Sequence, residues 1–418
     1  MAPADPRIIH DSSAITPPPT PTETKHPGSS SSSSASSTSI PKRVDPVTST
    51  TGRIRGRSLE EKSVSTEPIP FPFWFSEYEI SDWKKPLGSG LWSDVYLAKP
   101  CLPSATPSPS TQLTSILTPP LTPTKSRASS LSKREQLPQV PKAYAIKIPT
   151  SRTAKQVLSD EARVLSYLSR CPDSEKYIVP FYGQDMRTEA LVLKAMNTTP
   201  ETWVHKDLDS LGESERARKL ATVYPSLALN LLRGLEWLED KGCIHADIKP
   251  SNILLSTSEH TLHAVYSDFS SATLSHASSS SSSQPSAPLG GGTWDFLDPA
   301  ILSKSSPQLL PTPVSDLWSL AITLLYVIIG ASPFECAGSN VFRRREIIKH
   351  GQPLPYAFHG DEGLRNQQRL SNLSKSLGWD VGRWFGMVLK RDPAHRCDVG
   401  TWCRELEAGV SRSGVVRI

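Results

Sequence analysis

The chain has 418 residues, room for one large domain or two to three small ones. Its 38 prolines and its serine runs mark low-complexity segments beside a folded part, and a formal net charge of only +5 speaks against a nucleic-acid binder. Six scattered cysteines (Cys101, Cys171, Cys243, Cys336, Cys397, Cys403) form no CxxC pair, which argues against a zinc site or a disulfide framework and fits a reducing intracellular setting, cytoplasm or nucleus. The start is polar and Pro-rich and does not read as a secretory signal.

Residues 1–75 read as a disordered tail, with Ser29–Ser34, a Pro-rich patch at Pro17–Pro21 and too little apolar content to offset the entropy of ordering. Arg53, Arg55 and Arg57 are read as solvated charge rather than as a localisation signal. Aromatic density rises over Phe71–Trp83, and the folded domain is placed at 76–410. Leu91–Ala98 alternates as a strand and Ala143–Pro149 resumes as another, so the Pro/Ser/Thr-rich stretch 99–142 reads as an insertion between two strands. That stretch carries six basic residues against one acidic. It also holds four Ser/Thr-Pro pairs at Thr106, Ser108, Thr118 and Thr122, which makes an upstream proline-directed kinase a candidate partner.

Helical periodicity follows over Ala154–Leu168, a strand pair is expected at Ile178–Tyr182 and Ala190–Met196, and Leu220–Asp240 is again helical. A second serine-rich segment, 271–289, contains Ser278–Ser283, and beyond Gly292 the pattern is mainly helical to Leu406. Leu317–Phe334 is apolar over about the length of a short membrane span, yet it carries Ser319 and Thr323 and stops near Pro333; it reads as a buried core helix and no membrane span is expected. The fold class is α+β: a small β-rich lobe (76–196) followed by a larger α-rich lobe (197–410), with no repeat of fixed period.

Four stretches carry chemistry. In Leu87-Gly88-Ser89-Gly90 the two glycines, lying between strands, let backbone N–H groups approach phosphate oxygens. Taken alone such a turn is an ordinary hairpin, and no Gly-Lys-Ser/Thr follows to make it a Walker A loop. Lys147 ends an apolar strand ahead of a helix bearing Glu161, where a phosphate-binding lysine held by a glutamate is weighed against an edge residue and a solvated helix face. Ile244–Leu255 (IHADIKPSNILL) sets Asp247, Lys249 and Asn252 in one loop. There Asp247 can accept a hydroxyl proton, Lys249 can neutralise charge on a transferring phosphoryl group, and Asn252 can ligate Mg2+. Asp268, in Ser267-Asp268-Phe269-Ser270 at a strand end, offers the hard carboxylate oxygens that Mg2+ prefers.

At these residues, from about Glu79 to Glu407, the chain resembles the eukaryotic Ser/Thr protein kinase superfamily, in a sequence style similar to fungal kinases. LGSGLWSDV matches the Gly-rich loop, YAIK the strand lysine, Glu161 its helix partner, HADIKPSN the catalytic loop and DFS the metal-binding motif. Gly291–Ala300 resembles the end of the activation segment, and Ser315–Leu320 the start of a buried helix whose Asp316 supports the catalytic loop. The resemblance implies ATP and Mg2+ as cofactors and protein substrates as partners. It makes Leu193 the gatekeeper, puts Lys194–Met196 at the hinge, encloses adenine between Val95, Ala145 and Leu254, and joins Leu165, His245 and Phe269 in a packed column.

Four positions depart from the family pattern: Ser93 for the third glycine, Ser270 for the glycine after Asp-Phe, Ala246 for an arginine that clasps activation-loop phosphate, and Ala300 for a glutamate that pairs with Arg396. Asp298 is the candidate substitute for that last partner. The expected function is ATP- and Mg-dependent transfer of a γ-phosphate to protein Ser/Thr hydroxyls; the alternatives are a pseudokinase-type scaffold and a small-molecule kinase of similar fold.

Overall fold

The computed structural model describes residues 64–102, 140–257, 262–275, 293–303 and 310–413. The expectations for the tail before residue 64, for most of the 99–142 stretch and for the run Ser278–Ser283 lie outside these residues. Strands β1 (Glu77–Ile80), β2 (Gly88–Ser89), β3 (Ser93–Cys101), β4 (Tyr144–Pro149), β5 (Phe181–Asp185) and β6 (Ala190–Lys194) form one antiparallel sheet in the order β1-β3-β4-β6-β5, with β2 paired to β3. β3 pairs with β4 from Ser93↔Pro149 to Ala98↔Tyr144, so the stretch between them joins two neighbouring strands. The period of two along β4 turns Tyr144 and Ile146 to one apolar cluster, with Phe71, Ala98, Ala190 and Val192, and leaves Ala145 and Lys147 for the other face.

Against that second face lies α1 (Arg152–Ser169), whose buried residues Leu158, Glu161, Ala162, Leu165 and Leu168 follow the helical spacing. Ser151 caps it by accepting from the Ala154 N–H at 3.1 Å. The larger lobe is helical: α2 (Ser174–Tyr177), α3 (Pro200–Trp203), α4 (Glu213–Asp240), α5 (Pro299–Leu302), α6 (Pro313–Ile329), α7 (Val341–Lys349), α8 (Pro353–Ala357), α9 (Gly363–Leu377), α10 (Val381–Phe385) and α11 (Val399–Ser413). Two short hairpin-like pairs, β7 (Cys243–Ile244) with β10 (Thr273–Leu274) and β8 (Ile253–Thr257) with β9 (Leu262–Tyr266), bring the chemical loops to the side facing the sheet.

The apolar stretch at 317–334 enters α6 and leaves it at Ile329, five residues short of the expected end; the helix is buried from Ser315 to Ile329, and no helix among the described residues is long and apolar enough to cross a membrane. Thr312 and Ser315 form a capping box at its start. At its end Gly330, with φ +90°, frees the last carbonyls for two buried arginines. Arg216 donates to Ile328 O at 2.6 Å and to Val327 O at 3.3 Å, and Arg369 donates to Ile329 O at 2.5 Å. Two cations at a helix C-terminus also complement its dipole.

Three boundaries move. The packed part of the chain includes residues well before 76: Phe71 is only 5% exposed, and Ile69 packs against the main core, because an apolar strap runs along the open edge of β5. The strand expected at Ile178–Tyr182 starts at Phe181 instead. Ile178 bridges to Tyr266, and the Val179 N–H donates to Tyr266 O at 2.9 Å, so these two buried residues serve the other lobe. The last helix runs to Ser413, past the expected end of the domain at 410.

Candidate active site

Lys147 emerges from β4 facing α1, and its ammonium lies 2.9 and 2.7 Å from the two Glu161 oxygens and 2.7 Å from Asp268 Oδ1. Burial works against the charge on Lys147, but the carboxylates of Asp268 and Glu161 outweigh it and hold the amine above its ordinary value. Burial likewise disfavours the charge on Asp268, and Lys147 together with a hydrogen bond from Ser270 pulls that carboxyl well below its usual range. Glu161 also accepts from the Phe269 N–H at 3.1 Å, which ties the helix, the strand lysine and the Asp268 turn together.

Phe269 is buried, with its ring 4.7 Å from that of His245, and Leu165 is buried in the same core cluster. His245 is fully buried; its Nε2 lies 3.0 Å from Ser267 O, and burial holds its pKa below the ordinary value. The next residues turn sharply. Ala246 has φ +65° and Asp268 φ +58°, both left-handed values that side chains with a Cβ rarely adopt. Asp316, at the buried start of α6, accepts from the His245 N–H at 2.6 Å and the Ala246 N–H at 2.9 Å and so pins the turn. Burial pushes the Asp316 carboxyl up to about 7, against the pull of those two donors.

Past that turn comes Asp247, its side chain nearly buried. Asn252 donates from Nδ2 to Asp247 Oδ2 at 2.8 Å and to its backbone carbonyl at 2.9 Å, while Lys249 Nζ reaches Oδ2 at 2.8 Å. Burial raises the Asp247 carboxyl, Lys249 opposes the rise, and the charge of Asp268 is near enough to add to it. The loop thus brings Asp247, Lys249 and Asn252 into one hydrogen-bonded group, next to the Lys147–Glu161–Asp268 group.

The other candidates line the sheet side. Val95 pairs with Lys147 across β3 and β4, and Ala145 pairs with Leu193 across β4 and β6. Leu193 is buried, Lys194 is exposed, and Ala145, Met196 and Leu254 pack half-buried against the main core. Asn197 donates to Leu255 O at 3.1 Å, and Leu255 to Thr198 O at 2.8 Å, which fastens the segment after β6 to β8. Leu87, Ser89 and both loop glycines are exposed. A Cβ on Gly88 would meet nothing within 4 Å, and one on Gly90 only Ser93 O at 3.7 Å. Neither glycine answers crowding within the protein, so the open space above the loop is available to a ligand's phosphates.

Beyond the serine-rich segment, Asp298 accepts from both guanidinium ends of buried Arg396, with Nη2 at 2.9 Å from Oδ1 and a second, shorter bond from Nη1 to Oδ2. Asp298 also caps α5 through the Ala300 N–H at 2.9 Å. It is the acidic partner of Arg396 in this chain, and Arg396 further lies over the Trp318 ring at 4.7 Å. Beside Lys249 a pocket of about 340 Å³ opens, lined by Glu201, His205, Thr293, Asp295, Tyr326 and Glu335 among others. The His205 and Tyr326 contact in it, 2.8 Å between Nε2 and the phenol oxygen, carries no motif and was not legible in the sequence.

A family model described as protein kinase domain matches residues 139–399. The chain belongs to the protein kinase domain family. It is 26% identical over 241 residues to the serine/threonine-protein kinase ISR1 of Eremothecium gossypii, covering 54% of this chain and 60% of that one. It is 33% identical over 164 residues to human 3-phosphoinositide-dependent protein kinase 1 (39% of this chain, 27% of that one). Against the serine/threonine-protein kinase TOS3 of Saccharomyces cerevisiae it is 32% identical over 217 residues (49% and 36%). The chain thus spans under two thirds of the length of these relatives.

The donor chemistry fits Mg2+ bound together with a nucleotide. Among the described residues no three His, Cys, Asp or Glu side chains gather to hold a metal by themselves. Mg2+ characteristically takes one or two protein oxygens, waters and substrate phosphates. Asp268, kept ionised beside Lys147, and the Asn252 amide are the groups that would supply the protein's share.

Proposed function

We propose that the protein is an active Ser/Thr protein kinase that uses ATP with Mg2+ to phosphorylate protein hydroxyls. The observation that carries this reading is the pairing of two complete groups: Lys147 on both Glu161 oxygens and Asp268, and Asp247 held by Asn252 and Lys249. A scaffold that has shed catalysis has no need of either. Lys147 positions the nucleotide phosphates, and Glu161 fixes the lysine. Bound Mg2+ would neutralise charge on the phosphates from the side of Asp268 and Asn252. Asp247 orients the substrate hydroxyl and accepts its proton, and Lys249 offsets charge on the group being transferred.

Ala246 leaves no arginine beside Asp247 to read a phosphate, while the Lys147–Glu161 pair and the His245–Phe269 contact stand assembled in the unmodified chain. This supports substantial activity without activation-segment phosphorylation. Protein substrates are favoured over small molecules by Lys249, which lines the open pocket with Thr293. The scattered cysteines support an intracellular site of action.

The test is transfer from labelled ATP to a generic protein substrate, before and after phosphatase treatment. Asp247→Asn should leave nucleotide binding nearly intact and lower turnover by about 10²–10⁴. Lys147→Met should also cripple transfer. Equal transfer by both variants and the parent would remove this assignment.

A further inference from the structure

The segment before β1 is fastened to two elements of the small lobe at once. On the sheet side Phe71 N–H donates to Gln184 O at 2.8 Å, and Gln184 N–H to Ile69 O at 2.7 Å, extending the edge of β5. On the helix side the Ile69 N–H donates to Ser166 Oγ at 2.8 Å, and the Arg170 guanidinium donates to Ser65 O and Glu67 O, both at 2.8 Å. Ser166 is fully buried on α1, and Arg170 is the residue that ends it.

The approach of the strap to the sheet depends on a glycine. A Cβ at Gly183, whose φ is +132°, would sit 2.7 to 2.8 Å from backbone atoms of Pro70 and Phe71. Phe71 itself is wedged among Phe73, Tyr78 and Tyr144 at centroid distances of 4.9, 5.7 and 5.8 Å. α1 carries Glu161, one turn and a little more before Ser166. Whatever fixes the C-terminal half of α1 therefore fixes the Glu161 carboxylate on Lys147.

We propose that residues 65–71 are a built-in strap that holds α1 in its working position, with Ser166 and Arg170 as positioning residues for the Lys147–Glu161 pair. The strap replaces a control that Ala246 has removed: α1 is set by the chain's own backbone rather than by a phosphate. This inference rests on the kinase reading for its effect on rate, but its structural claim is independent of activity.

The test uses the full chain. Ser166→Ala with Arg170→Ala removes the helix side of the strap, Phe71→Ala loosens its wedge, and Arg170→Lys keeps a donor. Hydrogen exchange is followed in residues 152–169 and, as an internal reference, in α4 and α6. Loss of these bonds should speed exchange in 152–169 by about tenfold or more while α4 and α6 stay protected. Transfer should fall about fivefold or more at limiting ATP through a higher KM for ATP, with Arg170→Lys recovering part of it. Should the double variant fail to fold, Arg170→Ala alone, at an exposed residue, carries the measurement. Unchanged exchange in 152–169 in the folded variants overturns the proposal. A parent without transfer activity but with strap-dependent exchange would instead count against the kinase reading alone.

Discussion

α6 and the catalytic loop are joined by the Asp316 side chain, and they are opposites. In α6 the local rules agree: a capping box starts it, apolar residues fill it, glycine ends it, and arginines take its last carbonyls. The loop beside it breaks the rules. Ala246 and, nearby, Asp268 hold left-handed backbone, and Asp247 sits buried enough for its charge to be disfavoured. Such strain persists only where surrounding structure over-determines it. The relaxed helix is the anvil for the strained loop, and a carboxylate accepting two backbone N–H groups links them.

Breaking that link should have the largest effect. Asp316→Ala leaves one buried and one part-buried N–H donor without acceptors, at up to about 1–3 kcal/mol each. Stability by denaturant titration and the turnover number should both fall, and an unaltered turnover in a folded variant would show that the loop holds its shape alone.

Next comes the second anchor of the α6 region. Asp298→Ala strands the buried Arg396 charge and should destabilise by about 3–5 kcal/mol, with much of the loss returned by Ala300→Glu in the same chain. Calorimetry on the single and double variants measures it. No recovery would mean that position 300 cannot reach Arg396.

A pH profile sharpens the contrast from the loop side. Burial raises the Asp247 carboxyl, so its base form is lost as pH falls through that raised value, and the acidic limb of turnover lies above the ordinary aspartate range. Lys249 opposes the rise. Lys249→Ala should move the limb to higher pH, whereas a limb that stays in place would argue against Asp247 as the base.

The smallest effect is expected at the strained residue itself. Ala246→Gly relieves a left-handed Cβ but adds freedom to the unfolded chain, so stability should rise by no more than about 1 kcal/mol. Turnover should hold within about twofold, because Asp316 still grips the backbone. A large loss of turnover would show that the Ala246 methyl has a role of its own.

The motifs made most of the site legible, since phosphate, metal and proton chemistry restrict which residues can stand in a loop such as Ile244–Leu255. Periodicity placed Ala154–Leu168, Leu220–Asp240 and the apolar stretch that became α6. The Asp298 substitution for the absent glutamate was legible too, as an acid near the gap. Other features were not. Arg216 and Arg369 look like surface charge on their helices, and only the end of α6 meeting both makes them buried caps. The strap at 65–71 reads as the edge of a polar tail, since its hydrogen bonds run from backbone groups that every residue possesses.

Family, order of elements and chemical groups were readable along the chain, because side-chain chemistry and hydrophobic period are local properties. The tertiary structure alone decided the contacts that carry no motif: Lys147 with Asp268, Arg216 and Arg369 with the last carbonyls of α6, Ser166 with the N–H of Ile69. These contacts span 40 to 121 residues of chain. Over such separations partners are fixed by the packing of whole elements, and no local pattern encodes that packing.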